Sequence, residues 1–262
     1  MRYRVVDFQN TVSFFWAMRI LVLCIFLFCY FPSFTQGEVV GDAEDTYMED
    51  VSRVHFFEAN FSMYSPLDAF SEKISRDFLY GFSIAYLLQL QKEKPSFLGF
   101  EAFHMNLGVF NKNYDVVVGN ETLELSGKVA SNALGLNVIY RHYPPLKWKR
   151  FEPYFEGQFG MKFLYSYLSE TGAFLDEEPY ENFDFLTTNW VLTYGGAFGT
   201  QIHISDFYYL NLKTSYHFAV SGEYERRLTE NLDMIDFPQE AFETVQSSTN
   251  MIKIDLGMTF LF

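Results

Sequence analysis

Cysteine is almost missing from this chain of 262 residues: there are two, Cys24 and Cys29, and both lie inside the N-terminal apolar run. If that run is removed on export, no cysteine remains, which excludes a disulfide framework and a thiolate metal site. Basic residues are also scarce, with 19 Lys and Arg against 33 Asp and Glu and a net charge of -14. A surface of that sign repels phosphate backbones, so nucleic acid is excluded as a partner. Long hydrophobic runs are absent as well. The one candidate, "ILVLCIFLFCYF" after Arg19, falls short of the roughly 20 residues that a helical span needs. The histidines His55, His104, His142, His203 and His217 show no short ligand spacing, so neither a metal centre nor a cofactor is expected.

Aromatic residues, by contrast, are abundant. Phe and Tyr number 31 and 18, yet the mean hydropathy is only -0.03. A helical membrane protein would be far more apolar, and a soluble enzyme is rarely this aromatic. A membrane barrel satisfies both facts, because half of each strand faces lipid and half a polar lumen.

The N-terminus has the plan of an export signal: Arg19, the apolar run, Pro32, and then "SFTQG" with cleavage near Gly37. Residues 1–37 are therefore expected to be a signal peptide, with Met18 as an alternative start. Residues 38–53, acidic and without period, are expected to be a flexible leader. Residues 54–262 form the third segment, and there the pattern changes to alternation with period two, the mark of strands with two unlike faces. Phe57, Ala59, Phe61 and Met63 oppose Glu58, Asn60 and Ser62. Phe155, Phe159, Met161 and Phe163 oppose Glu156, Gln158 and Lys162. The closing run "MIKIDLGMTFLF" sets Ile252, Ile254, Leu256, Met258 and Phe260 against Lys253, Asp255 and Thr259. About eight such strands can be read, the even number expected of a closed antiparallel barrel. The third is irregular, with an expected slip between Phe100 and Met105 that a β-bulge would explain.

Connections alternate in length. Long ones are expected over 64–77, 111–123, 168–188 and 221–248, and short ones at "QKEKPS", "YPPLKWKR" and "SD". Outer-membrane barrels have long external loops and short periplasmic turns. The fold class is thus all-β: an eight-stranded antiparallel up-and-down transmembrane barrel behind an N-terminal signal.

The signal, the strands "FEPYFEGQFG" and "YGGAFGTQIHIS" and the C-terminal Phe262 resemble the small outer-membrane barrels of Gram-negative bacteria. That group contains the membrane domain of outer membrane protein A and outer membrane proteins X and W, and the resemblance covers residues 54–262. It implies the bacterial outer membrane as location. It implies outer-membrane lipids and lipopolysaccharide as surroundings, and a barrel-assembly machinery that reads the terminal Phe strand. It says little about activity, because many functions share the barrel.

Function must come from the lumen and the loops. An eight-stranded interior is just wide enough to be filled by side chains, and the inward rows carry Glu58, Glu156, Lys162, Lys213, His217, Lys253 and Asp255. A plugged polar lumen is expected, since buried charges must be paired. A narrow conduit for small solutes is the alternative. A lipid-modifying enzyme would need His203 with Ser205 to be oriented by a carboxylate, or His217 with Ser215 to be served by Glu58 or Glu223. The loop "SETGAFLDEEPYENFD" holds Asp176, Glu177, Glu178 and Glu181, oxygen ligands expected to bind divalent cations weakly. Acidic external loops of this kind are expected to serve a structural or surface-binding role, as in adhesion to an external ligand.

Overall fold

The computed structural model of the chain describes residues 54–74, 76–91, 94–118, 121–146, 150–172, 180–228 and 235–262. The expected signal and leader lie outside the described residues. Alternating large apolar and small or polar side chains suit a pleated two-faced surface, and the described chain is accordingly almost all strand. Eight strands build the barrel: β1 (His55–Pro66), β2 (Leu79–Gln91), β3 (Lys94–Val118), β4 (Glu121–His142), β5 (Phe151–Gly172), β6 (Tyr180–Ser205), β7 (Tyr208–Ala219) and β10 (Met251–Leu261). The ring runs β1-β10-β7-β6-β5-β4-β3-β2 and closes on itself, every pairing antiparallel.

Closure depends on the seam between the first and last strands. Its register runs from Phe56 opposite Leu261 to Pro66 opposite Met251. His55 N donates to Phe262 O at 3.2 Å and Phe262 N donates to His55 O at 3.0 Å. The C-terminal residue thus completes the ladder with its backbone, while its ring stays outside, 73% exposed.

Parity assigns the faces as the alternation implies. Glu58, Asn60 and Ser62 of β1 are buried, while Phe61 on the other row is 59% exposed. Phe159 and Trp190 on neighbouring strands are 61% and 64% exposed. A continuous apolar exterior of that extent has no place in water and marks a lipid-facing wall.

The strands are unequal. β3, β4, β5 and β6 have 25, 22, 22 and 26 residues, against 12, 13, 12 and 11 for β1, β2, β7 and β10. About 9–11 residues suffice to cross a bilayer, so the long four rise past it as a wall on one side. This corrects the expected loops 111–123 and 168–188. Both are mostly ladder, with Asn111 opposite Lys128 and Leu168 opposite Asp184. Both segments are rich in Asn, Asp, Glu, Ser and Thr, which favour loops in a sequence, but the ladder of the long strands holds them extended.

The third expected loop, 221–248, folds too. It forms a separate hairpin, β8 (Ser221–Arg227) with β9 (Phe242–Ser248), joined through a 3-10 turn at Pro238–Ala241. The first connection carries a short helix, α1 (Asp68–Ile74). The irregularity of β3 sits between Asn106 and Gly108, beyond the expected place. Between Phe100 and Met105 the register is unbroken. There Phe103 and Met105 turn inward, so the apolar row changes face without any slip.

Deleting Phe262 removes both terminal seam bonds. At about 1 kcal/mol for each hydrogen bond, the loss is small against the whole ladder, but it falls where closure occurs. The heat-modifiable gel shift should report a lower folded yield in cells, and an unchanged yield would count against a closing role.

Candidate functional site

The inward rows stack in three layers. At the short-turn end lie Phe56, Leu87, Phe97, Ile139, Tyr143 and Tyr154, with Phe56 and Phe97 stacked at 4.6 Å. Tyr154 fits because it lies over Gly199, where any Cβ would collide with its ring. At the opposite end Tyr64, Phe70, Leu79, Phe103, Met105 and Tyr224 form a second apolar layer. Gly135 plays the same part beneath Phe103.

Between these layers lie the charges. Arg141 on β4 is fully buried and clamps two carboxylates. It meets Glu58 across the lumen through Nη1 at 2.5 Å and Nη2 at 2.8 Å, and donates from Nε to Glu156 at 2.6 Å. Its guanidinium lies 4.0 Å from the Tyr154 ring centre. Glu101 on β3 receives Lys213 and Lys253, both at 2.8 Å. Lys213 stands on β7, the strand opposite β3 in the ring, so this ion pair spans the barrel. Asp255 lies 3.0 Å from Lys253 and 3.4 Å from Lys213, and accepts from Ser62 at 2.5 Å. Neutral groups fill the gaps: Gln201 donates to Glu58 and Thr259, and Asn211 joins Tyr154 to Asn60.

Buried ions are costly to desolvate, and their geometry must be good for the attraction to offset that cost. Here each carboxylate meets at least one cation, and the bidentate contact of Arg141 with Glu58 uses the planar fork that lysine lacks. The network therefore ties β1, β3, β4, β5, β7 and β10 together from inside.

The expected set is all buried in the lumen, but it divides. Glu58, Glu156, Lys213, Lys253 and Asp255 belong to the network. Lys162 stands apart, donating to Thr249 O at 3.2 Å and Thr249 Oγ1 at 3.1 Å. That contact ties β5 to the return of the outer hairpin. His217 has no hydrogen-bond partner on either nitrogen and faces the Phe103 ring at 6.0 Å. Two central members, Arg141 and Glu101, were not among the expected lumen residues. Parity does mark Arg141 as inward, opposite Tyr140. Glu101 shares its row with Phe103 and Met105 and so was hidden among apolar neighbours.

Neither Ser–His arrangement that an enzyme would need is assembled. Ser205 Oγ and Ser215 Oγ are buried without hydrogen-bond partners. His203 points to Asp206 at 3.9 Å on the exposed inner rim. Of the expected cation ligands, Asp176, Glu177 and Glu178 lie outside the described residues, and Glu181 is exposed on β6. Among the described residues no cluster of His, Cys, Asp or Glu fits a metal ion.

The hairpin β8–β9 caps the mouth on the long-strand side. Tyr224 meets Phe70 of α1 edge-on at 5.5 Å and bonds Ser247 at 2.8 Å. Glu225 accepts from Thr187 of the wall and Thr244 of its own hairpin, both at 2.6 Å. Arg226 pairs with Glu243 and donates to the carbonyl of Lys73 at 2.9 Å. Val129, Leu168, Ala241 and Phe242 join hairpin to wall in a small apolar cluster. Higher up, Tyr114 donates to Glu170, and burial together with that carboxylate pushes the Tyr114 hydroxyl above the ordinary tyrosine range. The raised wall is thus the support against which the hairpin packs.

No protein-family model matches the chain, and no curated protein matches it. Among solved structures it is similar to Neisserial surface protein A, at 10% identity over 79% of this chain and 95% of that one, TM-score 0.38. It is also similar to a major outer membrane protein from Thermus thermophilus, at 12% identity over 80% and 99%, TM-score 0.40. A third is Ail, the attachment invasion locus protein of Yersinia pestis, at 9% identity over 80% and 99%, TM-score 0.34. The barrel described here rests on this chain's own strand pairing.

Arg141→Met leaves Glu58 buried without a cation and Glu156 with Lys213 alone, at 3.5 Å. Breaking a buried ion pair from one side costs about 3–5 kcal/mol, and the urea midpoint in detergent should fall accordingly. Adding Glu58→Gln and Glu156→Gln should recover most of it. A single substitution without effect would mean the network contributes nothing to stability.

Proposed function

We propose that the protein is an outer-membrane barrel of a Gram-negative cell whose closed interior makes it a structural or surface-binding element rather than a channel. The observation that carries this reading is the three-layered lumen: apolar at the inner end, ion-paired in the middle, and apolar again under a folded hairpin. Solutes crossing it would have to break charge pairs held in low dielectric, which is expensive. The role then falls to the outer surface, where the wall, α1 and the hairpin form a rigid platform carrying exposed Glu124, Glu181, Glu223 and Glu240. An external ligand would meet this platform. Lipopolysaccharide and outer-membrane lipids would surround the belt, and the barrel-assembly machinery would handle the closing strand.

In planar bilayers the purified protein should give little current, and removing the hairpin should leave it low, because two layers remain. Large reproducible single-channel steps from the intact protein would overturn the plug and favour the conduit.

Orientation is open to a direct test, since the chain has no cysteine beyond Cys29. Glu124→Cys lies on the long-connection side and Arg150→Cys on the short-turn side, both exposed. A membrane-impermeant maleimide should label the first in intact cells and the second only after permeabilisation. The reverse pattern would invert the topology.

A further inference from the structure

The outer surfaces of the raised wall differ between its two halves. Above the lipid belt the β3–β4 face is polar, with exposed Asn111, Asn113, Ser126 and Lys128. At the same height the β5–β6 face carries rings. Trp190 and Phe163 meet at 4.6 Å at the top of the belt, and Phe163 lies 5.4 Å from Tyr165 at 17°. Tyr165 lies 6.5 Å from Tyr167, also at 17°, and Tyr167 lies 5.1 Å from Phe183 at 28°. Phe185 stands edge-on to both Tyr165 and Phe183. Tyr167 is four residues past Phe163, about 13 Å further along a tilted strand, and Phe183 shares a register line with Ser169, Lys128 and Asn111, polar groups that do not belong in hydrocarbon. Partly exposed rings in an aqueous layer are unfavourable unless something covers them.

We infer that this ladder is a docking surface for the sugar rings of the outer-leaflet glycolipid, a reading that rests on the outer-membrane assignment proposed above. Two features select that occupant. The ladder continues the lipid-facing belt without a gap, so whatever covers it rises from the same leaflet that covers Trp190. Its edges are also polar rather than apolar, with hydroxyls, the basic Lys128 and, beyond Phe183, the exposed Glu181. Thr188 is exposed beside Tyr165, and Ser169 sits between Phe183 and Lys128 in the strand register. A pyranose presents an apolar C–H face with hydroxyls around its rim. The C–H face suits the negative face of an aromatic ring, the rim hydroxyls suit Thr188 and Ser169, and Lys128 would take an acidic or phosphorylated substituent. An acyl chain has no use for these polar edges, and a second copy of the chain would bring another set of rings against them.

The probes are phosphatidylethanolamine–phosphatidylglycerol vesicles containing either lipid A alone or lipid A with its core oligosaccharide. Unfolding in urea is followed by the heat-modifiable gel shift. Wild-type protein should unfold roughly tenfold more slowly with the core sugar than with lipid A alone, the scale of two or three ring contacts. Tyr167→Ser/Phe183→Ser/Phe185→Ser should insert and fold but lose that difference. If the triple variant does not fold, free core oligosaccharide titrated into Trp148→Phe/Trp190→Phe/Phe183→Trp protein reads the same contact at the ladder itself, where a saturable spectral shift supports the assignment. Equal protection of wild type by the two lipids, or no shift of that tryptophan, overturns it. So does a sugar-independent dimer cross-linked through Glu181→Cys. Failure to insert into either vesicle would instead sink the outer-membrane reading, which separates the two claims.

Discussion

Every backbone polar group within the bilayer must find its partner inside the protein, because hydrocarbon offers none. For a chain without a long apolar helix among its described residues this leaves one solution, a sheet closed on itself. The seam between β1 and β10 is where that requirement is met, down to the reciprocal bonds between His55 and Phe262. Once closure is fixed, the side-chain parity of each strand is fixed with it. One row packs into the lumen, and the other meets lipid. The aromatic abundance and the near-zero mean hydropathy are both consequences of this division.

The interior then faces its own difficulty, since polar rows from eight strands converge on one axis. The protein resolves it by sorting. Charges gather at mid-height around Arg141 and Glu101, where oppositely charged strands face each other across the axis. Both ends are made apolar. This arrangement keeps the ion pairs away from either mouth, where water would weaken them. It also explains the long β3–β6 strands: the outer apolar layer is incomplete without Tyr224, and the hairpin that delivers Tyr224 needs a wall to lean on.

How much could be read from the sequence follows from the same physics. Period-two alternation is a direct imprint of a two-faced strand, so the eight barrel strands and the burial of Glu58, Asp255 and Lys253 were legible. The identity of the central residues was not, because parity gives a face but no height or azimuth. Arg141 and Lys162 look alike in an alternating row, yet one clamps two carboxylates and the other a threonine in the hairpin return. Glu101 was concealed because an interior built partly of Phe103 and Met105 breaks the rule that inward means polar. The hairpin at 221–248 was read as a loop for a related reason. Its strands have seven residues each, too short for a periodic signal, and tertiary packing on the wall makes them strands at all.

The seam has a bearing on the order of events in assembly. Barrel pairings apart from the seam join strands that follow one another around the ring in chain order, but the lumen bonds that cross the seam join residues far apart in sequence. Ser62 and Asp255 are separated by 193 positions, and Glu58 and Thr259 by 201. The entropy of closing such a loop must be met before any of these contacts can repay it. Until β10 arrives, Glu58 and Ser62 lie on a bare edge without Thr259 and Asp255. Joining β10 to β1 therefore carries the largest loop entropy of the barrel, and the contacts of Lys253 and Asp255 with the rest of the network come only with it.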